Sequence, residues 1–115
     1  MEGGQTNEFR PLILVAEDDD SNFKLIKAII GKKCDIQWAK NGEEIVALFK
    51  EYGKEAKAIL MDIKMPVMNG LDATKIIREE NKEIPIIMQT AYAFSSDKEN
   101  AMNAGASEVL VKPIT

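Results

Sequence analysis

Two short, almost uninterrupted apolar runs constrain this chain most: Leu12–Ala16 (LILVA) and Ile59–Ile63 (ILMDI), the second broken only by Asp62. A strand wet on one face alternates apolar and polar residues. A strand covered on both faces reads as a continuous apolar run, the habit of parallel sheets packed between helices. Ile36–Ala39 and Val109–Val111 are shorter strand candidates. Ile84–Ala91 is a longer one, with Pro85 at its entry, where a missing donor is tolerated. Between the runs, Phe23, Ile26 and Ile30 recur at i, i+3 and i+7, and Ile45, Leu48, Phe49 and Tyr52 at i, i+3, i+4 and i+7. These are amphipathic helices. Asn41 with Glu44 forms a capping pattern for the second helix, and Gly53 marks its end. Asn69 caps a third, with Ala73, Ile76 and Ile77 inward, whereas a fourth, Ser96 to Ala104, carries only a weak apolar stripe and is expected to be the least firmly held. Strand and helix alternate throughout, which predicts an α/β fold with a parallel sheet.

At 115 residues there is room for one domain. Residues 1–10 offer little to bury and read as a flexible leader, with the domain over 11–115. A net charge of −4 and the lack of a dense basic run argue against direct nucleic-acid binding. No stretch approaches the roughly 20 apolar residues of a membrane span, and the polar start does not resemble a signal peptide, so a cytoplasmic protein without membrane insertion is expected. Cys34 is the only cysteine and there is no histidine. Disulfides, zinc sites and Ser-His hydrolases are thereby excluded, and any phosphohistidine must belong to another protein or segment.

Polar residues recur at the carboxyl ends of the strand candidates: Glu17 and Asp18, Asp62, Thr90, and Lys112. Open parallel sheets bind ligands at that end. Each residue alone has a plain reading: Glu17 to Asp20 as a solvated helix start, Asp62 as a loop cap, Thr90 and Lys112 as strand or surface residues. Four segments converging on one place outweigh those readings. Carboxylates gathered there need protonation or a cation. Magnesium, which takes oxygen ligands and commonly uses one or two carboxylates beside phosphate oxygens, is the natural match, and manganese could substitute. A carboxylate can take a phosphoryl group if the incoming charge is offset; Lys112 and the Thr90 hydroxyl add to that offset, and Ala91 leaves space.

LILVAED (Leu12–Asp18), LMDIKMPVMNG (Leu60–Gly70), IIMQTA (Ile86–Ala91) and Lys112-Pro113, taken in order, resemble the receiver domain of two-component response regulators, over nearly the whole chain from Leu12. MPVMNGLDATKIIR looks especially like receivers attached to hybrid histidine kinases. The resemblance implies a flavodoxin-like (CheY-like) three-layer α/β/α fold with five parallel strands in the order 2-1-3-4-5. It implies that Asp62 is the phosphoacceptor, that Asp18 binds the metal directly and Glu17 through a water, and that the backbone carbonyl of Lys64 completes the protein's ligands. Thr90 would be the switch hydroxyl and Lys112 the partner of Asp62 or of the phosphoryl group, with a cis peptide before Pro113. Lys64 and Tyr92 occupy positions that tune phosphoryl lifetime, and their bulk points to a long-lived state. The donor would be a histidine kinase or a histidine phosphotransfer domain. Such a chain is a switch that catalyses its own phosphorylation rather than a turnover enzyme.

Two departures carry expectations. Val109 stands where receivers usually have an aromatic residue, so switching must use another element. The sequence stops where a fifth helix would begin, which would leave apolar surface beside the fifth strand and first helix and favour a homodimer or marginal stability. Three other functions compete. Asp18, Asp20 and Ser21 spell the Asp-x-Asp-Ser/Thr of haloacid dehalogenase-type phosphatases, yet the fourth strand ends in Gln89-Thr90-Ala91 without their later acidic group. Asp18, Asp20 and Asn22 have calcium-loop spacing, but Phe23 and Ile29 replace the required glycine and glutamate. A receiver-like module that only binds a partner is the third.

Overall fold

The computed structural model describes residues 10–91 and 96–112. Tyr92, Pro113 and nearly all of the expected leader lie outside them. Among the described residues nine elements alternate: β1 (Leu12–Ala16), α1 (Asp20–Ile30), β2 (Asp35–Ala39), α2 (Gly42–Tyr52), β3 (Ala56–Asp62), α3 (Gly70–Glu80), β4 (Ile86–Thr90), α4 (Asp97–Ala104) and β5 (Glu108–Val111). The strands form one sheet in the order β2-β1-β3-β4-β5, every pair parallel. The expected doubly wound architecture is therefore present.

The sheet is covered unequally. Leu14, Ile59, Met61, Ile86 and Met88 point to one face, where they meet Ile45 and Phe49 of α2, Ala73 and Ile77 of α3 and Ala101 of α4. Val15 points to the other and meets Phe23 and Ile26 of α1, with Ile13, Ile36, Trp38 and Leu60 around them. Beside α1, an apolar cleft of about 270 Å³ is lined by Ile13, Ile26, Ile29, Leu60, Ile87 and Leu110 among others, and Ile29 and Leu110 are 47% and 38% exposed. Apolar area in water is unfavourable by roughly 25 cal/mol per Å², so this face favours being covered.

Caps set the helix starts. Asp19 accepts from the amides of Ser21 and Asn22, Asn41 from Glu44, and Asn69 from Asp72. Glu44 returns the favour at one remove, accepting from the Lys40 amide at 2.9 Å. α4 has no side-chain cap at Ser96 and buries only Ala101 and Ala104. Of the four helices described it alone has no large apolar side chain buried.

Several boundaries differ from expectation. β3 begins at Ala56, three residues before its apolar run, because Ala56 already pairs with Leu12. On α3, Thr74 is buried whereas Ile76 is only partly so, and the Thr74 hydroxyl faces the Met88 sulfur at 3.7 Å. Arg10, assigned to the leader, is anchored instead: its guanidinium donates to Asp35 Oδ1 (2.9 Å) and to the carbonyls of Gly31 (2.9 Å), Lys32 (2.8 Å) and Cys34 (3.0 Å). The turn from α1 to β2 presents these carbonyls together, and the forked guanidinium supplies several donors at once.

Candidate functional site

Strand ends deliver the site. Glu17 and Asp18 follow β1, Asp62 closes β3, Thr90 closes β4 and Lys112 follows β5. Glu17, Asp18 and Asp62 each place a carboxylate oxygen within 4.8 Å of the others, so the three predicted acidic residues do meet. Glu17 is wholly buried, Asp62 is 4% exposed, and Asp18 faces solvent. Two closed walls and one open side suit a cation that keeps water ligands.

Lys112 Nζ lies 2.9 Å from Asp62 Oδ2 and 3.4 Å from Glu17, bridging the two buried acids. Burial pushes the Asp62 carboxyl up to about 7; the Lys112 hydrogen bond opposes this, and the charge on Glu17 reinforces it. Burial works against the charge on Lys112, yet the hydrogen bond to Asp62 and the charges of Asp62 and Glu17 prevail, and its pKa is raised. One lysine thus fails to compensate the carboxylates it touches. The remaining deficit of positive charge, with hard oxygen donors alone around it, fits magnesium or another hard divalent ion.

A cleft of about 190 Å³ opens over these groups, walled by Asp18, Asp19, Asp62, Lys64, Gln89, Thr90, Ala91 and Lys112 among others. Every predicted site residue that is described, except fully buried Glu17, lines it; Tyr92 and Pro113 lie outside the described residues. Gln89 is fully buried, and neither atom of its amide has a hydrogen-bond partner among the described residues.

The β3–α3 loop is shaped by close backbone approach. Met68 N donates to Pro66 O at 2.7 Å, a three-residue turn that holds Val67 at φ 69° and 75% exposed. Gly70 N donates to Ile63 O at 2.8 Å, and a Cβ at Gly70 would overlap the Asp62 carbonyl. Only glycine lets α3 start that close under the acid.

Sequence reasoning missed three participants. Asn22, in the first turn of α1, donates from Nδ2 to Glu17 Oε1, while the Asp19 amide donates to Glu17 Oε2 at 3.2 Å. Asp97, which opens α4, accepts from the Thr90 hydroxyl at 3.3 Å and lies 4.0 Å from Lys64 Nζ. Trp38 donates from its indole to the Glu17 carbonyl at 2.8 Å. The Asn22 contact lies five residues from Glu17 and the Asp97 contact seven from Thr90, whereas Trp38 reaches Glu17 from 21 residues away. The competing motifs disperse. Asp20 pairs with Lys40 at 3.6 Å and does not line the cleft, and Asn22 belongs to α1, so neither the phosphatase pair nor a calcium loop is assembled.

Comparison with known proteins gives the same picture. Hybrid signal transduction histidine kinase I of Dictyostelium discoideum is 42% identical over 110 residues, taking in 89% of this chain and 6% of the kinase's length. The receiver domain of a Pseudomonas aeruginosa sensor histidine kinase, solved with a magnesium ion coordinated in its active site cleft, superposes with a TM-score of 0.85 at 32% identity, over 93% of this chain and 88% of that one. The receiver of a Saccharomyces cerevisiae response regulator, co-crystallised with a histidine phosphotransfer signaling protein, gives 0.83 at 29% identity, over 92% of this chain and 81% of that one. The family model for the response regulator receiver domain matches residues 13–115, and with the fold and the strand-end acids in place this chain belongs to that family.

Proposed function

We propose that this chain accepts a phosphoryl group onto Asp62 from the phosphohistidine of a histidine kinase or a histidine phosphotransfer domain, and passes the change to α4. The observation that carries it is the meeting of Glu17, Asp18 and Asp62 within 4.8 Å beneath Lys112. An Asp62 oxygen forms its bond to phosphorus as the phosphorus–nitrogen bond breaks; the departing imidazole keeps the electron pair and takes up a proton. Asp18, Asp62 and the Lys64 carbonyl would hold magnesium, with Glu17 acting through a water and manganese as the nearest substitute. Bound there, the cation offsets the charge of the transferring group. Lys112, already on Asp62 Oδ2, moves with little reorganisation onto a phosphoryl oxygen.

Thr90 then acts as the switch. Its hydroxyl now donates to Asp97; turning to a phosphoryl oxygen releases Asp97 and with it the start of α4, which lacks a side-chain cap. This route needs no aromatic residue on β5, where Val109 stands. Lys64 and Tyr92 act as lifetime-tuning residues that slow hydrolysis, and alanine at both should shorten the phosphorylated state. The parent protein is a hybrid histidine kinase working on the cytoplasmic side; among the described residues no helix is long and apolar enough to cross a membrane. In this setting the chain is a switch that catalyses its own modification.

Incubation with acetyl phosphate and MgCl2, followed by intact mass measurement, tests the reading. One added phosphoryl group on the wild type and none on Asp62→Asn is the expected result. An unmodified wild type that still binds partners would instead establish a binding module.

A further inference from the structure

Glu17 is tied to the neighbouring strand through both its amide and its carbonyl. Its amide donates to Ala39 O at 2.9 Å, continuing the β1–β2 ladder by one step. β2 ends at Ala39. The Glu17 carbonyl accepts from a side chain, the indole Nε1 of Trp38, at 2.8 Å.

That indole is itself clamped. Phe23 of α1 stacks on it with ring centroids 3.9 Å apart and planes 2° from parallel. Lys40 Nζ sits 4.8 Å over the ring and reaches Asp20 at 3.6 Å, closing a path from β2 to the first turn of α1. In sequence, Glu17–Asp19, which carries two of the three acids, runs from the carbonyl held by Trp38 to Asp20, held by Lys40.

We infer that Trp38 is a positioning residue for the cation site: its stacked indole fixes the Glu17 carbonyl, and so sets where the Glu17 and Asp18 carboxylates leave β1. The inference rests on the receiver reading for its cation. Groups that orient metal ligands commonly influence affinity by about ten- to a hundredfold, and one acting through a backbone carbonyl belongs at the lower end.

Calorimetric titration with MgCl2 of the wild type and of Trp38→Phe, which keeps a stacking ring and removes the donor, tests it. Binding weakened about tenfold in a variant that still unfolds cooperatively supports the role, since a merely structural contribution lowers the melting temperature without changing the affinity of the folded form. Equal affinities overturn it and leave the receiver reading intact. No binding by the wild type overturns both. Should Trp38→Phe fail to fold, the wild-type indole N–H resonance decides: it is expected to shift with MgCl2 along the calorimetric isotherm, and an unmoved indole at saturation refutes the inference.

Discussion

Replacing Asp62 with asparagine probes the electrostatics of the cleft without any phosphate chemistry. The Asp62 carboxyl is pushed from 3.8 to about 7, chiefly by burial. At pH 8, holding it ionised costs the fold on the order of 4 kcal/mol. Water reaching the open side of the cleft screens part of that cost, leaving roughly 1–3 kcal/mol. Because the folded pKa lies above the unfolded one, this group's stabilising contribution is fully present below about pH 4 and is lost as the pH rises through about 7. Asparagine imitates the protonated acid in shape, still accepts from Lys112, and cannot ionise. In the absence of metal, Asp62→Asn should therefore melt close to the wild type at pH 4 and well above it at pH 8, by about 4 °C or more for each kcal/mol. MgCl2 should narrow the difference, since a ligand of the native state stabilises by about 1.4 kcal/mol for each tenfold excess over its dissociation constant. Thermal unfolding followed by circular dichroism from pH 4 to 8.5, with chelator and then with MgCl2, gives every term. Parallel wild-type and variant curves across that range, or a lower melting temperature for Asp62→Asn at pH 8, would refute the reasoning.

Other consequences are as direct. Gly70→Ala should destabilise by about 3 kcal/mol or more in urea unfolding, because the new Cβ overlaps the Asp62 carbonyl and also stands 2.9 Å from Met61 Cγ; an unchanged midpoint would show that the loop yields freely. Val67→Gly should stabilise by up to about 1 kcal/mol, the relief of a left-handed β-branched residue less the added freedom of the unfolded glycine. A lower midpoint for that variant would mean the valine makes contacts that outweigh its backbone. The apolar face formed by Ile29, Leu110 and their neighbours predicts concentration-dependent self-association of this chain in light scattering, weakened by Ile29→Lys; a monomer at all concentrations would contradict it.

Sheet and helices were legible because they rest on periodicity, and periodicity is local. Leu12–Ala16 reads as buried on both faces whatever surrounds it, and Asn41 and Asn69 cap helices through contacts three residues away. The site was legible for a related reason: parallel strands end on one edge, so acids placed after Ala16 and at the end of β3 must share that edge. The start of β3 at Ala56 was not, because its first residues pair with β1 without an apolar run to announce them.

What the linear order determined by itself is thus the set of elements, the edge they share, and the residue types delivered to it. Folding decided the rest. That Arg10 would close the end of α1 from 21 to 24 residues away, that Asp97 would take the Thr90 hydroxyl, and that the Trp38 indole would reach the Glu17 carbonyl all depend on how side chains from separate elements pack. Hydrogen bonds of that kind act over about 3 Å, a distance that no sequence spacing encodes and only the assembled layers produce.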